Sequence, residues 1–347
     1  VSYHLNKYHG YLKLIIIYQE ILFLIELKQV FMQCKYFLHL LPVFFIFTNI
    51  NAQTLTDTPE IFMQDLISTG LNERDLAISP DGKTIYFTIV GPQNVSSSIF
   101  FIEKLKNGTW SKPKTASFSG IFQDLEPTFS PDGKRIYFAS KRPVNGKDKK
   151  DFDLWYVEKN TTRWSDPKHL DFCTEKDEFY PSVTQNGSIY FTSSYNEEVS
   201  KEDIYFVSFE NDKYTSPIAL DSAINTNVYE FNSYVAPDES FLIFTAYGRK
   251  GDKGRGDLYL SKKVNGKWQP SRPITKINSD KLDYCPVVSS DQKILYFTSE
   301  RTNLKSMESG KKLNYDDFEK FQYSSGNGLG DIYWVSFKEI EEHGVKN

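Results

Sequence analysis

One nine-residue phrase recurs five times along this chain, and its spacing constrains the fold more than any other feature. Ser-Pro-Asp-Gly-Lys-x-Ile-Tyr-Phe stands at Ser79–Phe87 and again at Ser130–Phe138. Degenerate copies follow at Thr184–Phe191, Ala236–Phe244 and Ser289–Phe297. The turn residue falls at Asp81, Asp132, Asn186, Asp238 and Asp291, which gives steps of 51, 54, 52 and 53 residues. A period of that length holds one four-stranded blade, and five such periods predict a β-propeller.

The second repeat shows how a blade is divided. Glu126–Ser130 reads as a first strand, Pro131–Lys134 as a turn, Arg135–Ser140 as a second strand and Asp153–Val157 as a third. In the turn, Pro presets φ at the first corner and Gly tolerates positive φ. The third-strand pattern recurs as Asp203-Ile204-Tyr205, Asp257-Leu258-Tyr259 and Asp331-Ile332-Tyr333, whereas the first repeat has Ser98-Ile99-Phe100. The Asp before that strand is read as a turn cap. Trp110, Trp164, Tyr214 and Trp268 mark the start of a fourth strand and are expected to pack between blades. The last repeat lacks a fourth-strand segment, and an unassigned one lies at Pro59–Leu66. That N-terminal segment is expected to complete the last blade and close the ring, which removes exposed sheet edges.

At these repeats the chain resembles the TolB-like propellers, a WD40-like class marked by the Ser-Pro-Asp-Gly-Lys turn. The resemblance covers about residues 54–337. It implies an exported bacterial protein that serves as a docking surface for envelope partners or as a propeller attached to other domains. It also implies six blades, whereas the repeat count gives five. The expectation is an all-β propeller of five blades, with six as the alternative.

The N-terminus reads as a targeting segment. Lys35 precedes an apolar run from Phe37 to Phe47, and Asn51-Ala52-Gln53 follows as a small-residue cleavage region. Residues 32–52 are therefore expected to be a signal peptide that sends the chain to the periplasm or outside the cell. Residues 1–31 are read as a start-site misassignment, 53–337 as the propeller and 338–347 as a tail. The stretch 12–27 is short for a membrane span and carries Lys13, Glu20 and Glu26. Cys173 and Cys285 occupy different places in non-neighbouring repeats, so two free thiols are expected. A net charge of −4 lacks the basic footprint of a nucleic-acid binder. A monomer is expected.

Counting eight residues back from each turn residue gives Glu73, Asp124, Glu178, Glu230 and Asp283, all acidic. Two readings stand. Each carboxylate holds backbone N–H groups together, or the five form a ring at the channel mouth that binds a cation such as Ca²⁺. No cofactor is otherwise expected. The loops on that face are basic, with Arg142, Arg249 and Arg301, and the longest, 301–330, carries Tyr315, Phe318, Phe321 and Tyr323. Long loops on a rigid scaffold carry function, so these residues and the five acids form the candidate binding face.

Catalysis has little support. His169 and His343 are the only histidines beyond the targeting segment, which argues against a Ser-His-Asp triad or a histidine-rich zinc site. No Cys pair has zinc spacing. Asp75 breaks the repeat, since its counterparts are Glu126, Tyr180, Asn232 and Cys285. Asp75 with Glu126 is the weak catalytic alternative, a carboxylate pair of glycosidase type. The expected role is a non-catalytic module that docks an envelope protein. The rival is a carbohydrate-binding protein or a glycoside hydrolase.

Overall fold

The computed structural model of the protein describes residues 55–347, apart from 162, 196–201, 304–311, 313 and 343–347. The segments read as a misassigned start and a signal peptide lie outside the described residues. The described chain from Leu55 onward forms one compact unit. Five four-stranded antiparallel sheets make up the blades of a β-propeller. The ring therefore has five blades, and the six-bladed alternative does not hold.

Each blade runs from the channel outward. The innermost strands are Glu73–Ile78, Asp124–Phe129, Glu178–Val183, Tyr229–Val235 and Asp283–Val288. The second strands are Thr84–Val90, Arg135–Ser140, Ile189–Ser193, Phe241–Tyr247 and Ile294–Ser299. The third are Ser97–Glu103, Asp153–Glu158, Asp203–Val207, Asp257–Val264 and Asp331–Ser336. The outer edges are short, at Lys114–Thr115, Lys168–His169, Ile218–Ala219 and Arg272–Pro273. Blade 5 takes its outer strand from Glu60–Ile61, which pairs with Trp334 and Tyr333. Phe62 N extends that ladder to Ile332 O at 2.8 Å.

The repeated phrase is explained by its turn. Ser79 Oγ donates to Asp81 Oδ1 at 2.7 Å, and Lys83 N donates to the same oxygen at 3.1 Å. Ser130 with Asp132, Thr184 with Asn186 and Ser289 with Asp291 repeat the pair. Ala236 has no hydroxyl, and Ser240 supplies it to Asp238 from the other side of the turn at 2.6 Å. Position four of the turn has positive φ in every blade, at Gly82, Gly133, Gly187, Glu239 and Gln292. The phrase ends on Phe87, Phe138, Phe191, Phe244 and Phe297, which are essentially inaccessible and fill the core between blades.

The recurrent outer aromatic is placed differently from the expectation. Trp110, Trp164, Tyr214 and Trp268 lie in small hairpins at the far end of the third strands, before the fourth strands begin. They do pack between blades. Trp164 Nε1 of blade 2 donates to Tyr86 Oη of blade 1 at 2.9 Å. The Trp268 ring of blade 4 meets Tyr190 of blade 3 edge-on at 6.0 Å. Among the described residues there are two α-helices. Helix α1, Tyr315–Gln322, lies in the long loop of blade 5, and α2, Phe337–Glu342, follows the last strand. Phe337 and Ile340 of α2 are buried in the core between blades 4 and 5.

Candidate functional site

Glu73, Asp124, Glu178 and Asp283 each open an innermost strand, Glu230 is the second residue of its own, and each is at most 1% exposed. Their carboxylates accept from the loop that enters the blade. Thr69 donates N and Oγ1 to Glu73, Ser119 donates Oγ to Asp124, and Thr174, Thr226 and Ser279 serve Glu178, Glu230 and Asp283. The three basic-loop arginines join the same device. Arg142 reaches Asp124 at 2.6 Å, Arg249 reaches Glu230 at 2.7 Å and Arg301 reaches Asp283 at 2.7 Å. Each guanidinium also stacks on two aromatic rings of its own blade, such as Phe244 and Tyr259 under Arg249. Blades 1 and 3 lack the arginine, and burial pushes Glu73 and Glu178 up to about 7. Among the described residues, these five acids supply no trio of ligand atoms within metal-binding reach of one another. The arrangement pins the loops of one face to the tops of the strands.

The channel holds a second constellation. Two residues after each acid, the innermost strand carries a bulge, seen as a register shift in every blade. At the bulge, Asp75, Glu126, Tyr180, Asn232 and Cys285 all take left-handed φ between 48° and 62°. Non-glycine residues seldom adopt that conformation. Arg74, which sequence reasoning did not single out, ties the group together. Its Nε donates to Asp75 Oδ1 at 2.7 Å and its Nη2 to Glu126 Oε1 at 2.8 Å. Cys285 Sγ donates to Asp75 Oδ1 at 2.8 Å, and burial holds that thiol in its protonated form. Asn232 Nδ2 and Tyr180 N complete the shell of Glu126 at 3.3 and 2.7 Å. Burial raises the Glu126 carboxyl above its ordinary range against the pull of Arg74. The sequence signal for this group was a non-repeating residue at a repeating position.

The structure thus brings Asp75 and Glu126 onto one guanidinium and encloses both, at 1% and 4% exposure. Three of their four oxygens have donors, and Asp75 Oδ2 is buried with no hydrogen-bond partner. Arg74, Glu126, Asn232 and Tyr284 line a cavity of about 240 Å³, and Glu202 lines it as well. Burial beside Asp177 lifts Glu202 to about 7.

Tyr315 and Phe318 lie on α1, well away from this enclosure in character. They are 75% and 50% exposed, and Tyr323 just beyond the helix is 76% exposed. Asn314 caps the helix by accepting from Asp317 N at 2.8 Å. The loop of α1 leans on blade 1, where Asn327 Nδ2 donates to Gly70 O at 3.2 Å. A side chain at Gly70 would run into the Tyr323 backbone at 2.5 Å. Leu71 and Leu329 are exposed beside that junction. On the other side of blade 1, Gln123 Nε2 donates to Asn94 O at 3.0 Å, joining the loops that expose Val95, Ile121 and Phe122. An apolar arc therefore runs over blades 5, 1 and 2 on the face that carries the buried acids.

Fold and site define a five-bladed β-propeller with a plugged channel and an apolar loop-bearing face. Solved structures similar to it include TolB from Acinetobacter baumannii, at 15% identity and a TM-score of 0.43, covering 76% of this chain and 54% of that one. An alpha-L-arabinofuranosidase from Lactobacillus brevis is similar at 12% identity and a TM-score of 0.47, covering 79% of this chain and 95% of that one. A puromycin-hydrolyzing peptidase of Mycobacterium tuberculosis is similar at 11% identity and a TM-score of 0.40, covering 65% of this chain and 34% of that one. The chain thus spans about half of the TolB structure and a third of the peptidase. No family model matches the chain, and no curated protein sequence matches it.

Proposed function

We propose that this protein is a non-catalytic binding module that docks a protein partner along the apolar arc of blades 5, 1 and 2. The observation that carries the reading is the distribution of exposed apolar side chains. Leu71, Val95, Ile121, Phe122, Tyr315, Phe318, Tyr323 and Leu329 all belong to connections on one face. Exposed apolar surface of this kind marks interaction sites, and aromatic residues are enriched in protein interfaces. The state of the channel carboxyls supports the same reading. Acid–base hydrolysis of a glycoside needs two carboxyls open to substrate, whereas Asp75 does not line the cavity and both it and Glu126 are held by Arg74, Cys285, Asn232 and Tyr180.

With the 32–52 segment as an export signal, the partner would be an envelope protein. The test is affinity capture from envelope extract with the purified chain and with an Ile121→Asp/Tyr315→Asp/Phe318→Asp variant. A stoichiometric protein retained by the native chain and lost by the folded variant is expected. Equal capture by both would overturn the docking site. Release of reducing sugar from envelope glycans, abolished in Glu126→Gln, would overturn the non-catalytic reading.

A further inference from the structure

We infer that blade 2 carries a site for a borderline divalent ion of the zinc kind, built from Asp153, His169 and Cys173. The ligand atoms of the three side chains lie within 4.8 Å of one another. His169 Nε2 and Asp153 Oδ2 are 2.9 Å apart. Zinc binds nitrogen and oxygen at about 2.0 Å and thiolate sulfur at about 2.3 Å, so tetrahedral edges run about 3.3–3.7 Å. To reach that geometry the His169–Asp153 pair must open by about 0.4 Å, and the widest pair must close by up to about 1.3 Å, a shift that side-chain rotation supplies. A His, a thiolate and one carboxylate suit zinc-like ions and not Ca²⁺ or Mg²⁺, which take oxygen ligands.

The rest of the ring shows that this trio is no requirement of the blade. In every blade, the N–H of one third-strand residue is capped by a side chain arriving from the next connection. Ile99 N uses Ser119, Ile204 N uses Asn225, Leu258 N uses Asn278 and Ile332 N uses Ser68. Leu154 N uses Cys173 Sγ at 3.2 Å. A hydroxyl or an amide thus meets the need elsewhere, and blade 2 alone presents sulfur. Outer-strand pairing places His169 where other blades have Thr115, Ala219, Pro273 and Ile61. His169 is the only histidine among the described residues, and it meets one of their two cysteines at a single carboxylate.

The surroundings suit a cation with a water-accessible fourth position. His169 keeps 21% of its side chain exposed, whereas Asp153 is 1% exposed. Lys149 Nζ lies 3.3 Å from the other oxygen of Asp153, Oδ1, and leaves Oδ2 to the ion. Glu178 adjoins the thiol, and its Oε2 is buried without a hydrogen-bond partner. Binding would replace the Cys173 thiol proton, released to solvent, by a metal–sulfur bond.

The test is titration of the full chain with Zn²⁺ by calorimetry and with Co²⁺ by absorption. One equivalent is expected, with a thiolate-to-cobalt charge-transfer band and intense tetrahedral ligand-field bands. Cys173→Ser keeps an acceptor for Leu154 N, as Ser119 and Ser68 do in their blades. It should abolish the charge-transfer band and weaken zinc at least tenfold while leaving the melting temperature of the metal-free protein nearly unchanged. His169→Thr, which copies blade 1, should also weaken zinc at least tenfold. A charge-transfer band that survives Cys173→Ser, or zinc affinity unchanged in both variants, would overturn the site.

Discussion

Arg74 of blade 1 donates Nη2 to Glu126 Oε1 of blade 2 at 2.8 Å, so a single guanidinium spans the boundary between two innermost strands. Both partners are largely withdrawn from water, with side chains 20% and 3% exposed. Removing one member of a buried pair leaves the other charge uncompensated, at about 3–5 kcal/mol. Arg74→Ala is expected to lose stability of that order in urea unfolding, because Asp75 loses the same counterion. Arg74→Met combined with Glu126→Gln should recover part of the loss. A single variant as stable as the native chain would show that the channel ion pairs contribute nothing.

Arg142→Lys separates structure from ligand binding at the loop arginines. Arg142 donates to Ser140, to Phe118 O and to Asp124, and it stacks on Phe138 and Trp155. A lysine keeps the charge and loses the planar fork. We expect a stability loss of about 1.5–3 kcal/mol, the size of a lost hydrogen bond to a charged group, with partner capture by the folded protein unaltered. Native stability with weakened capture would instead make Arg142 a contact residue.

Acidity should stabilise this protein over a window where many proteins change little. Glu73 and Glu178 are pushed from 4.5 to about 7 by burial. A carboxyl with a raised folded pKa binds its proton more tightly in the folded state. Its contribution is full below the unfolded value and is lost as pH climbs through the folded one. The urea midpoint should therefore fall between pH 5 and pH 8. Glu178→Gln should flatten that slope, and a midpoint that rises over the interval would sink the assignment. Asp81, Asp132, Asp238 and Asp291 have lowered values and act below this window.

Removal of residues 53–68 should open the ring. The segment supplies the outer strand of blade 5 and buries Phe62 and Ile67, at 7% and 0% exposure. Burial of two such side chains contributes about 3–6 kcal/mol, so the melting temperature is expected to drop by about 5–15 °C. A truncated chain that melts with the native one would refute closure by this strand.

The architecture was legible because turn chemistry and core aromatics repeat with the blade. Asp81 and its counterparts mark the turn, Phe87 and its counterparts mark the buried strand, and the missing outer strand of blade 5 pointed to Pro59–Leu66. The arginine partners of the acids were less legible. Arg142 and Arg301 both fall ten residues past their turn Asp, but Arg249 falls eleven past Asp238 and blades 1 and 3 have no counterpart, so the three read as loop charges and not as partners of the acids. The left-handed bulge was hidden because Glu126, Tyr180 and Cys285 carry no glycine signature for positive φ. Asp153, His169 and Cys173 follow no familiar ligand spacing. Outer-strand pairing is what places His169 beside Trp155 and thereby near Asp153.

The pairing of Glu60 with Trp334 also sets the timing of assembly. A strand made early must wait, unpaired, while four blades are synthesised and the fifth reaches residue 336. Contacts so distant in sequence slow folding, because the chain entropy of the closure must be overcome before the contact forms. Any shortened product lacking either strand keeps an open sheet edge. Completion of the ring thus works as a checkpoint on the integrity of the polypeptide, passed only by molecules that carry both ends of the clasp.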